Sequence, residues 1–353
     1  MSWVAALAAG GRTQLYPPFD RLPPRGAMRR GTVLLECSLS PVASAQPILR
    51  IPLQAHAAGH LSILALPEGC FALVVAQGRT MVHRTLRLPL PEGAPVLRLS
   101  FAWDCEAGLA RFAVERADGQ GFVTGSLDLP APMALDSLTA FPAMALCAPD
   151  EAELVFLAIS NTVEPVGPLP GLAARTFVDT PFGAREVSKL RCGDLVLTRD
   201  APPEPVLHVA QRIVPGLGSF APIRLRAPYF GLERDIVVAP HQKIFVSGAV
   251  VDYTFGCEGV LVPAAFLVNG QSALFEPSLP LVSYAQALLP SHAVFAASGA
   301  WTESLYIGRL RRDPDRLAAT LLAQVRPKLL PEQAHLTPPV LQRFEAQALA
   351  DVA

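Results

Sequence analysis

Histidine and cysteine are the residues best suited to metal binding and nucleophilic chemistry, and in this 353-residue chain both are widely dispersed. The two nearest histidines, His56 and His60, lie in a stretch without helical periodicity, so a metal ion shared between them is the weaker interpretation. Successive cysteines are separated by about 30 residues or more and form no CxxC motif, which is typical of isolated buried thiols in a reducing compartment. We therefore predict neither a metal site nor a disulfide framework. The residues concerned are His56, His60, His83, His208, His241, His292 and His335, and Cys37, Cys70, Cys105, Cys147, Cys192 and Cys257.

Carboxylates offer a second kind of chemistry. Asp104, Glu106 and Glu115 lie close together in the sequence and could supply the acid and base of a glycosidase. They adjoin a predicted hairpin turn, however, and such turns need polar side chains whatever the function. We interpret them as turn residues. The motifs GxSxG, GxxxxGK[ST] and GxGxxG are absent, so no cofactor is expected.

The composition favours a chain of many short strands. Hydrophobic residues make up 51% of the sequence and charged residues only 17%, and there are 35 prolines. This excludes a disordered chain, a coiled coil and a long-helix bundle. A net charge of −1 without a basic run argues against a nucleic-acid partner. No apolar run approaches the roughly 18 to 20 residues of a transmembrane segment.

The first ten residues are apolar but lack the basic residues that open an export signal. A cytoplasmic location is therefore the default expectation, and export without such a signal stays open. After an N-terminal arm over residues 1–30, period-two alternation predicts a series of strands over residues 31–160. Leu97, Leu99, Phe101 and Trp103 share one face of a strand that should form a hairpin with Ala110–Glu115. Further strands are expected at Leu61–Leu66, Phe71–Ala76, Arg84–Leu90 and Leu154–Ile159.

This first block is predicted to be an antiparallel β-sandwich. The hairpin around Ser100–Asp104 resembles those of laminin-G/concanavalin-like jelly rolls. A Pro/Gly-rich linker over residues 161–175 separates it from a second strand-rich block over residues 176–310. A helical tail follows over residues 311–353. Its first helix should begin at Asp313-Pro-Asp, and its second near Thr337, with Leu341, Phe344 and Leu349 on it.

The second block resembles the Hint (hedgehog/intein) family of bacterial type, in which the domain stands at the C-terminal side. Thr180-Pro-Phe-Gly183 and Val187–Thr198 are similar to the TP-x-G and V-x-x-L-x-x-G-D-x-V-L-T segments that open the family pattern. The resemblance covers about 130 residues and implies an all-β Hint domain. The later segments that match, in order, are Val206–Val209, Pro222–Arg226, Asp235–Phe245, Leu261–Gly270, Tyr284, His292–Ala296 and Thr302–Ser304.

The resemblance also implies a chemistry. A Hint domain converts the peptide bond before its first cysteine into a thioester, since a thiolate is both a good nucleophile and a good leaving group. A histidine on a later strand protonates the departing backbone nitrogen, and nearby polar groups stabilise the oxyanion. Water, another nucleophile or a downstream residue then releases the thioester.

This sequence departs from the family pattern at the positions that perform the chemistry. The nucleophile should lie near Gly171, but residues 171–175 include no Cys, Ser or Thr. Cys192 comes about twenty residues too late and is interpreted as structural. Thr176 could start an N–O shift, although it is expected inside the first strand.

The segment that contains the family's catalytic histidine differs as well. The family reads roughly Ser/Thr-Pro-x-His-Arg where this chain has Ala239-Pro-His-Gln-Lys243, so Gln242 stands in the histidine position. His241 is one residue early, which in a strand would point it to the opposite face unless a bulge restores its direction. His292 is followed by Ala293 instead of the Asn used in splicing, and His208 is expected to pack. Thr176 and His241 are thus the residual catalytic candidates.

Three functions remain open. The leading hypothesis is a non-catalytic, mainly β protein in which the Hint fold is a binding or structural module. The second is an autoproteolytic enzyme that cleaves near residues 171–176 through an unconventional nucleophile. The third is carbohydrate binding by the N-terminal sandwich, an analogy at the level of fold. The expected partner is an unidentified protein or a carbohydrate.

Overall fold

The structure, a computed structural model, describes residues 2–9, 11, 13–16, 27–53, 59–91, 93–128, 133–134, 152–334 and 338–352. His56, Cys147, His335 and part of the predicted N-terminal arm, including residues 17–26, lie outside the described residues. The chain divides into two compact units, residues 1–167 and 168–353. The finer domain bounds expected from the sequence stay a prediction.

The first unit is an antiparallel β-sandwich, which confirms the predicted fold class. One sheet has seven strands in the order β11-β10-β9-β4-β13-β1-β2, and the other has four in the order β5-β6-β7-β8, while β3 pairs with β12. The strands are β1 Trp3–Ala8, β2 Thr13–Leu15, β3 Ala27–Met28, β4 Arg30–Leu39, β5 Gln46–Leu53, β6 Gly59–Leu66, β7 Cys70–Gln77, β8 Thr80–Arg87, β9 Val96–Asp104, β10 Leu109–Arg116, β11 Phe122–Ser126, β12 Met133–Ala134 and β13 Ala152–Ser160.

Alternating apolar residues build the core between these two sheets. Leu99 and Phe101 on β9 pack in one cluster with Leu61 on β6 and Phe71 on β7, all at most 1% exposed. The predicted hairpin is confirmed, since β9 pairs with β10 residue by residue. Because neighbouring side chains in a strand point to opposite faces, this one-sided apolar pattern fixes the register of both sheets.

The carboxylates of this hairpin have two different structural roles. Asp104 accepts hydrogen bonds from the backbone N–H groups of Glu106 and Ala107, as expected of a turn residue. Glu115 was wrongly placed among the turn residues. It lies within β10, is 2% exposed, and its carboxylate is 3.9 Å from Arg98 Nε.

The second unit contains two six-stranded antiparallel sheets, β19-β25-β14-β21-β20-β24 and β16-β15-β26-β27-β22-β23, and a two-stranded ribbon of β17 and β18. The turn between β26 and β27 consists of Ser298 and Gly299, with φ of 53° and 90°. Positive φ at both positions is what a type I′ turn requires. The strands are β14 Leu172–Ala173, β15 Phe177–Val178, β16 Arg185–Glu186, β17 Leu195–Val196, β18 Glu204–Pro205, β19 His208–Pro215, β20 Ile223–Leu225, β21 Ile236–Val238, β22 Lys243–Ser247, β23 Gly259–Pro263, β24 Ala273–Phe275, β25 Leu281–Leu288, β26 Val294–Ala297 and β27 Ala300–Glu303.

Four short helices accompany these sheets in the described part of the second unit: α1 Ala249–Phe255, α2 Ala264–Leu267, α3 Pro314–Ala318 and α4 Arg343–Val352. The predicted start of the first tail helix is confirmed, because the Asp313 side chain accepts a hydrogen bond from Arg316 N at the beginning of α3. No described helix combines the length and the apolar character needed to span a membrane.

The second tail helix differs from the prediction. Its expected start, Thr337, lies outside the described residues, and α4 begins only at Arg343. Leu341 precedes the helix in an extended segment that is hydrogen-bonded to the edge strand β23. Leu341 N donates to Leu261 O at 2.9 Å, and Leu261 N donates to Pro339 O at 2.8 Å. Phe344, expected on the packed face, is 70% exposed. Pro338 and Pro339, which cannot donate a backbone N–H, delay the helix and favour an extended segment.

Candidate functional site

Gly171 stands immediately before β14, between β21 and β25 in the sheet. Its carbonyl accepts a hydrogen bond from Ala239 N at 2.7 Å. Its own N–H and that of Leu172 both donate to Gln286 Oε1, at 3.1 and 3.2 Å. The backbone at the position expected for a nucleophile is therefore held by hydrogen bonds from two neighbouring strand segments.

Gln242 fills the space beside Gly171. A Cβ atom at position 171 would lie 2.2 Å from Gln242 Oε1 and 2.9 Å from Gln242 Cβ, both shorter than real contacts. Gln242 is 1% exposed, and its amide donates to the carbonyls of Lys243 and Glu303 at 3.2 and 3.3 Å. Only glycine fits at position 171 while Gln242 keeps this conformation.

Gln286 on β25 and Glu303 on β27 complete the polar network. The Gln286 amide also donates to the backbone carbonyl of Glu303, so two glutamine side chains converge on one carbonyl oxygen. Gln286 bridges the start of β14 to β27 in this way. A buried amide with both ends hydrogen-bonded rigidifies its surroundings, since breaking either bond leaves a polar group unsatisfied.

The Glu303 carboxylate is paired inside the protein. Lys243 Nζ lies 2.7 and 2.9 Å from its two oxygens, and His292 Nε2 lies 3.3 Å from Oε2. Burial alone would raise the pKa of Glu303, but the Lys243 charge and the His292 hydrogen bond outweigh it and lower the pKa below its usual value. The His292 ring packs edge-on against Tyr306, with centroids 5.3 Å apart.

The structure places His241 in the turn between β21 and β22 instead of in a strand. The strand-alternation argument that turned it away from Gly171 therefore does not apply. Its Nε2 atom lies 3.3 Å from the carbonyl oxygen of Leu169, two residues before Gly171. His241 thus contacts the segment that precedes the expected cleavage position, and Gln242 contacts Gly171 itself.

Thr176 lies in the turn between β14 and β15, which corrects its expected place inside a strand. It is 6% exposed, its N–H donates to Ala173 O and its carbonyl accepts from Val187 N, both at 2.8 Å. These bonds connect Thr176 to a different segment from the one that His241 contacts. His208 on β19 is half-buried, and burial lowers its pKa.

The described cysteines are free but mostly not buried. Cys37 alone among them is buried, Cys192 is exposed, and Cys70, Cys105 and Cys257 are intermediate, so the expectation of uniformly buried thiols was wrong. Among the residues that the structure describes, no three His, Cys, Asp or Glu side chains are grouped so that they could hold a metal ion.

The N-terminal sandwich offers no exposed aromatic platform in its described part. Trp103 is fully buried, and its indole Nε1–H donates to Met28 O at 2.9 Å. The large hydrophobic side chains that are exposed in the described part of this unit are Met81 and Val96. Stacking of sugar rings on aromatic side chains therefore has no support in the described residues.

Sequence comparison identifies a known domain family within the second unit. Residues 170–309 match the Hint domain family. This part of the chain is a Hint domain, and the match begins one residue before Gly171. No curated protein matches the chain.

Solved structures that resemble the chain do so with low TM-scores and low sequence identity. The CBM40 module of Ruminococcus gnavus IT-sialidase, bound to α2,6-sialyllactose, is 10% identical over 39% of this chain and 79% of that chain, with a TM-score of 0.27. Mouse laminin α1 domains LG4-5 are 11% identical over 86% and 75% of the two chains, with a TM-score of 0.25. The LG1-3 region of the laminin α2 chain is 9% identical over 87% of this chain and 57% of that one, with a TM-score of 0.27. Scores this low support no conclusion about ligands or activity.

Proposed function

We propose that the Hint domain of this chain does not cleave itself and serves as a structural or binding module. One observation carries this proposal: the Gln242 side chain occupies the space that a nucleophilic side chain at position 171 would need. Glycine at that position supplies no nucleophile. A thioester or ester intermediate requires a thiol or hydroxyl at the attacking residue.

The surrounding network supports the same proposal. The N–H groups of Gly171 and Leu172 are both bound to Gln286, and Glu303 is bound to Lys243 and His292. A polar cluster whose members satisfy one another stabilises a fold. Neither glutamine can act as a general acid or base, because a side-chain amide does not titrate in the physiological range.

The competing function is cleavage through Thr176 with His241 as general acid. The contact that favours it is His241 Nε2 to Leu169 O, which brings a titratable ring to the chain just before Gly171. The bonds of Thr176, however, are to Ala173 and Val187, outside that segment. We therefore place this function second.

Intact-mass spectrometry of the purified full chain distinguishes the two functions. The protein is incubated overnight at neutral pH with a thiol or with hydroxylamine, which capture a thioester or an ester. The proposal expects one unchanged species. Cleavage into two fragments that join between residues 170 and 176 overturns it.

The hydroxylamine arm needs its own control, because this reagent also cleaves Asn–Gly bonds at alkaline pH and the chain contains Asn269-Gly270. A fragment that ends at residue 269 reports that reaction and is identified by its mass.

Variants Thr176→Val and His241→Gln test the competing function, since cleavage of the Arg175–Thr176 bond through these groups would disappear in both.

A further inference from the structure

The four-stranded sheet of the N-terminal sandwich has an unusual charge distribution. Its strands β5, β6, β7 and β8 are eight residues long each and contain no Asp or Glu. The chain as a whole has 30 acidic and 29 basic residues. The charged side chains on these four strands are therefore all positive. The arginine and histidine residues on these strands are Arg50, His60, His83, Arg84 and Arg87.

The strand register places most of these side chains on the outer face. Arg50 pairs with Ser62, Ser62 with Val74, and Val74 with His83, which makes one row across all four strands. The adjacent residues Ile51, Leu61 and Val75 belong to the buried core, so the Arg50 row lies on the opposite face. Arg50 and His83, at the two ends of this row, are exposed.

Two further rows extend the same face. His60 pairs with Pro52 and Ala76, and Arg87 pairs with Cys70. By the same alternation His60 and Arg87 share the face of Arg50 and His83, whereas Arg84 does not. The outer face of this sheet, defined by Arg50, His60, His83 and Arg87, is called the basic face below.

Small side chains form the middle of the basic face. Ser62, Ala72, Val74 and Ala76 lie on the two central strands, which also contain His60, whereas Arg50, His83 and Arg87 are on the edge strands β5 and β8. Three strand spacings separate Arg50 from His83, which is about 14 Å. Met81, which is 69% exposed, shares this face at the β8 edge, in the row of His60 and Ala76. The result is a shallow floor with guanidinium groups on its two edge strands and one large apolar side chain at its β8 border.

An acidic residue, Glu68, pairs with Arg87 but leaves its positive charge available to a ligand. Glu68, in the turn between β6 and β7, lies 3.1 Å from Arg87 Nη2, and both side chains are largely exposed. Exposed ion pairs of this kind contribute little free energy. Arg87 can therefore exchange Glu68 for a carboxylate or sulfate of a ligand at small cost.

We propose that the basic face binds an acidic polysaccharide through its carboxylate or sulfate groups. Guanidinium groups bind such anions with two parallel hydrogen bonds, and here they stand at the borders of a flat floor. A single-stranded nucleic acid would need aromatic side chains for base stacking, and the described aromatic residues of this unit are buried. This proposal concerns the sandwich and holds whether or not the Hint domain cleaves.

The test measures binding of the full chain to defined probes by isothermal titration calorimetry at about 0.1 M salt, where the Debye length is about 10 Å. The probes are oligogalacturonate, which carries carboxylates, heparin oligosaccharide, which carries sulfates, and maltooligosaccharide, which is neutral. We expect one of the acidic oligosaccharides to bind and the neutral one not to bind. Failure of both acidic probes overturns the proposal.

Two variants with the same change in net charge locate the site. Arg50→Gln/Arg87→Gln removes two charges from the basic face, and Arg175→Gln/Arg191→Gln removes two exposed charges from the second unit. We expect the first variant to weaken binding by at least about tenfold, because charge-assisted hydrogen bonds are lost. The second should stay within about twofold, because it changes the net charge equally but leaves the basic face intact.

Equal weakening in the two variants overturns the proposal, because it would mean that only the total charge matters. Thermal melts confirm that both variants are folded before binding is compared. Binding to vesicles with 30% phosphatidylserine, with no binding to either acidic oligosaccharide, would assign the basic face to membranes and overturn the proposal as well.

Discussion

The side chain of Gln242 and the α-carbon of Gly171 occupy adjacent positions that exclude any larger residue at position 171. A Cβ added to Gly171 would lie 2.2 Å from Gln242 Oε1. The two residues are 71 positions apart in the chain, yet each explains the other. The glycine lacks the side chain that would collide, and the glutamine fills the volume that the glycine leaves.

The first prediction concerns that volume. Gly171→Cys should lower the free energy of unfolding by about 1–3 kcal/mol, because overpacking a buried site forces neighbours out of their rotamers. In a Gln242→Ala background the same substitution should cost less, since the obstructing side chain has been removed. A double-mutant cycle by urea denaturation measures this coupling. Equal costs in both backgrounds would show that Gln242 does not restrict position 171.

Much of the sandwich could be predicted from period-two alternation. Residues such as Leu99 and Phe101 reveal a one-sided apolar face, and the predicted strands agree with the structure to within a few residues in most cases. The exceptions include two interior strands, β4 and β1, which were not predicted individually, and β1 fell in the predicted N-terminal arm. The other exceptions named here are edge strands. The predicted strand Arg84–Leu90 is observed as Thr80–Arg87, and β5 was missed, because edge strands tolerate the exposed polar residues and prolines that mask the pattern.

The site was less predictable, because its contacts join segments that are distant in sequence. Gln286 was not recognised as the partner of Gly171, nor Glu303 as the residue whose carbonyl accepts from Gln286 and Gln242. The available signal was a polar residue inside an otherwise apolar strand, as in Tyr284-Ala-Gln-Ala-Leu288. Such a residue must find a hydrogen-bond partner when buried, but the sequence does not say which one. His241 was misjudged because a turn interrupts the strand on which the alternation argument relied.

The second prediction concerns the buried pair of Lys243 and Glu303. Their side chains are 13% and 8% exposed. Lys243→Met should destabilise the second unit by about 3 kcal/mol, because the substitution leaves a buried carboxylate without its main partner. The double variant Lys243→Met/Glu303→Gln should lose less, since no unpaired charge remains. Hydrogen exchange of β22 and β27, followed by mass spectrometry, reports on this unit separately from the sandwich.

The third prediction is a dependence on pH. The pKa of Glu303 is lowered in the folded protein, because the Lys243 charge and the His292 hydrogen bond outweigh the effect of burial. Its contribution to stability is then complete above the unfolded-state pKa of about 4.3 and disappears as the pH falls through the lower folded-state value. The difference in unfolding free energy between the native chain and Glu303→Gln should be constant above about pH 5 and shrink below about pH 4.

Glu258→Gln is the control for that pH series, because the Glu258 side chain is 87% exposed. We expect it to match the native chain at every pH to within about 0.5 kcal/mol. If the Glu303→Gln difference grew on acidification, the sign of the assigned pKa shift would be wrong.

The last prediction concerns the C-terminal helix α4, where two large apolar residues face different surroundings. Leu349 is 8% exposed and packs in a cluster with Val251 and Val262, whereas Phe344 on the same helix is 70% exposed. Leu349→Ala should destabilise the packing of α4 against this cluster by about 2–3 kcal/mol, because it removes buried methyl groups and leaves a cavity. Phe344→Ala is the matched control and should change stability by no more than about 0.5 kcal/mol. Limited proteolysis measures the outcome: cleavage between residues 335 and 350 should accelerate in Leu349→Ala and not in Phe344→Ala, and equal rates in the two variants would mean that α4 is not held by this cluster.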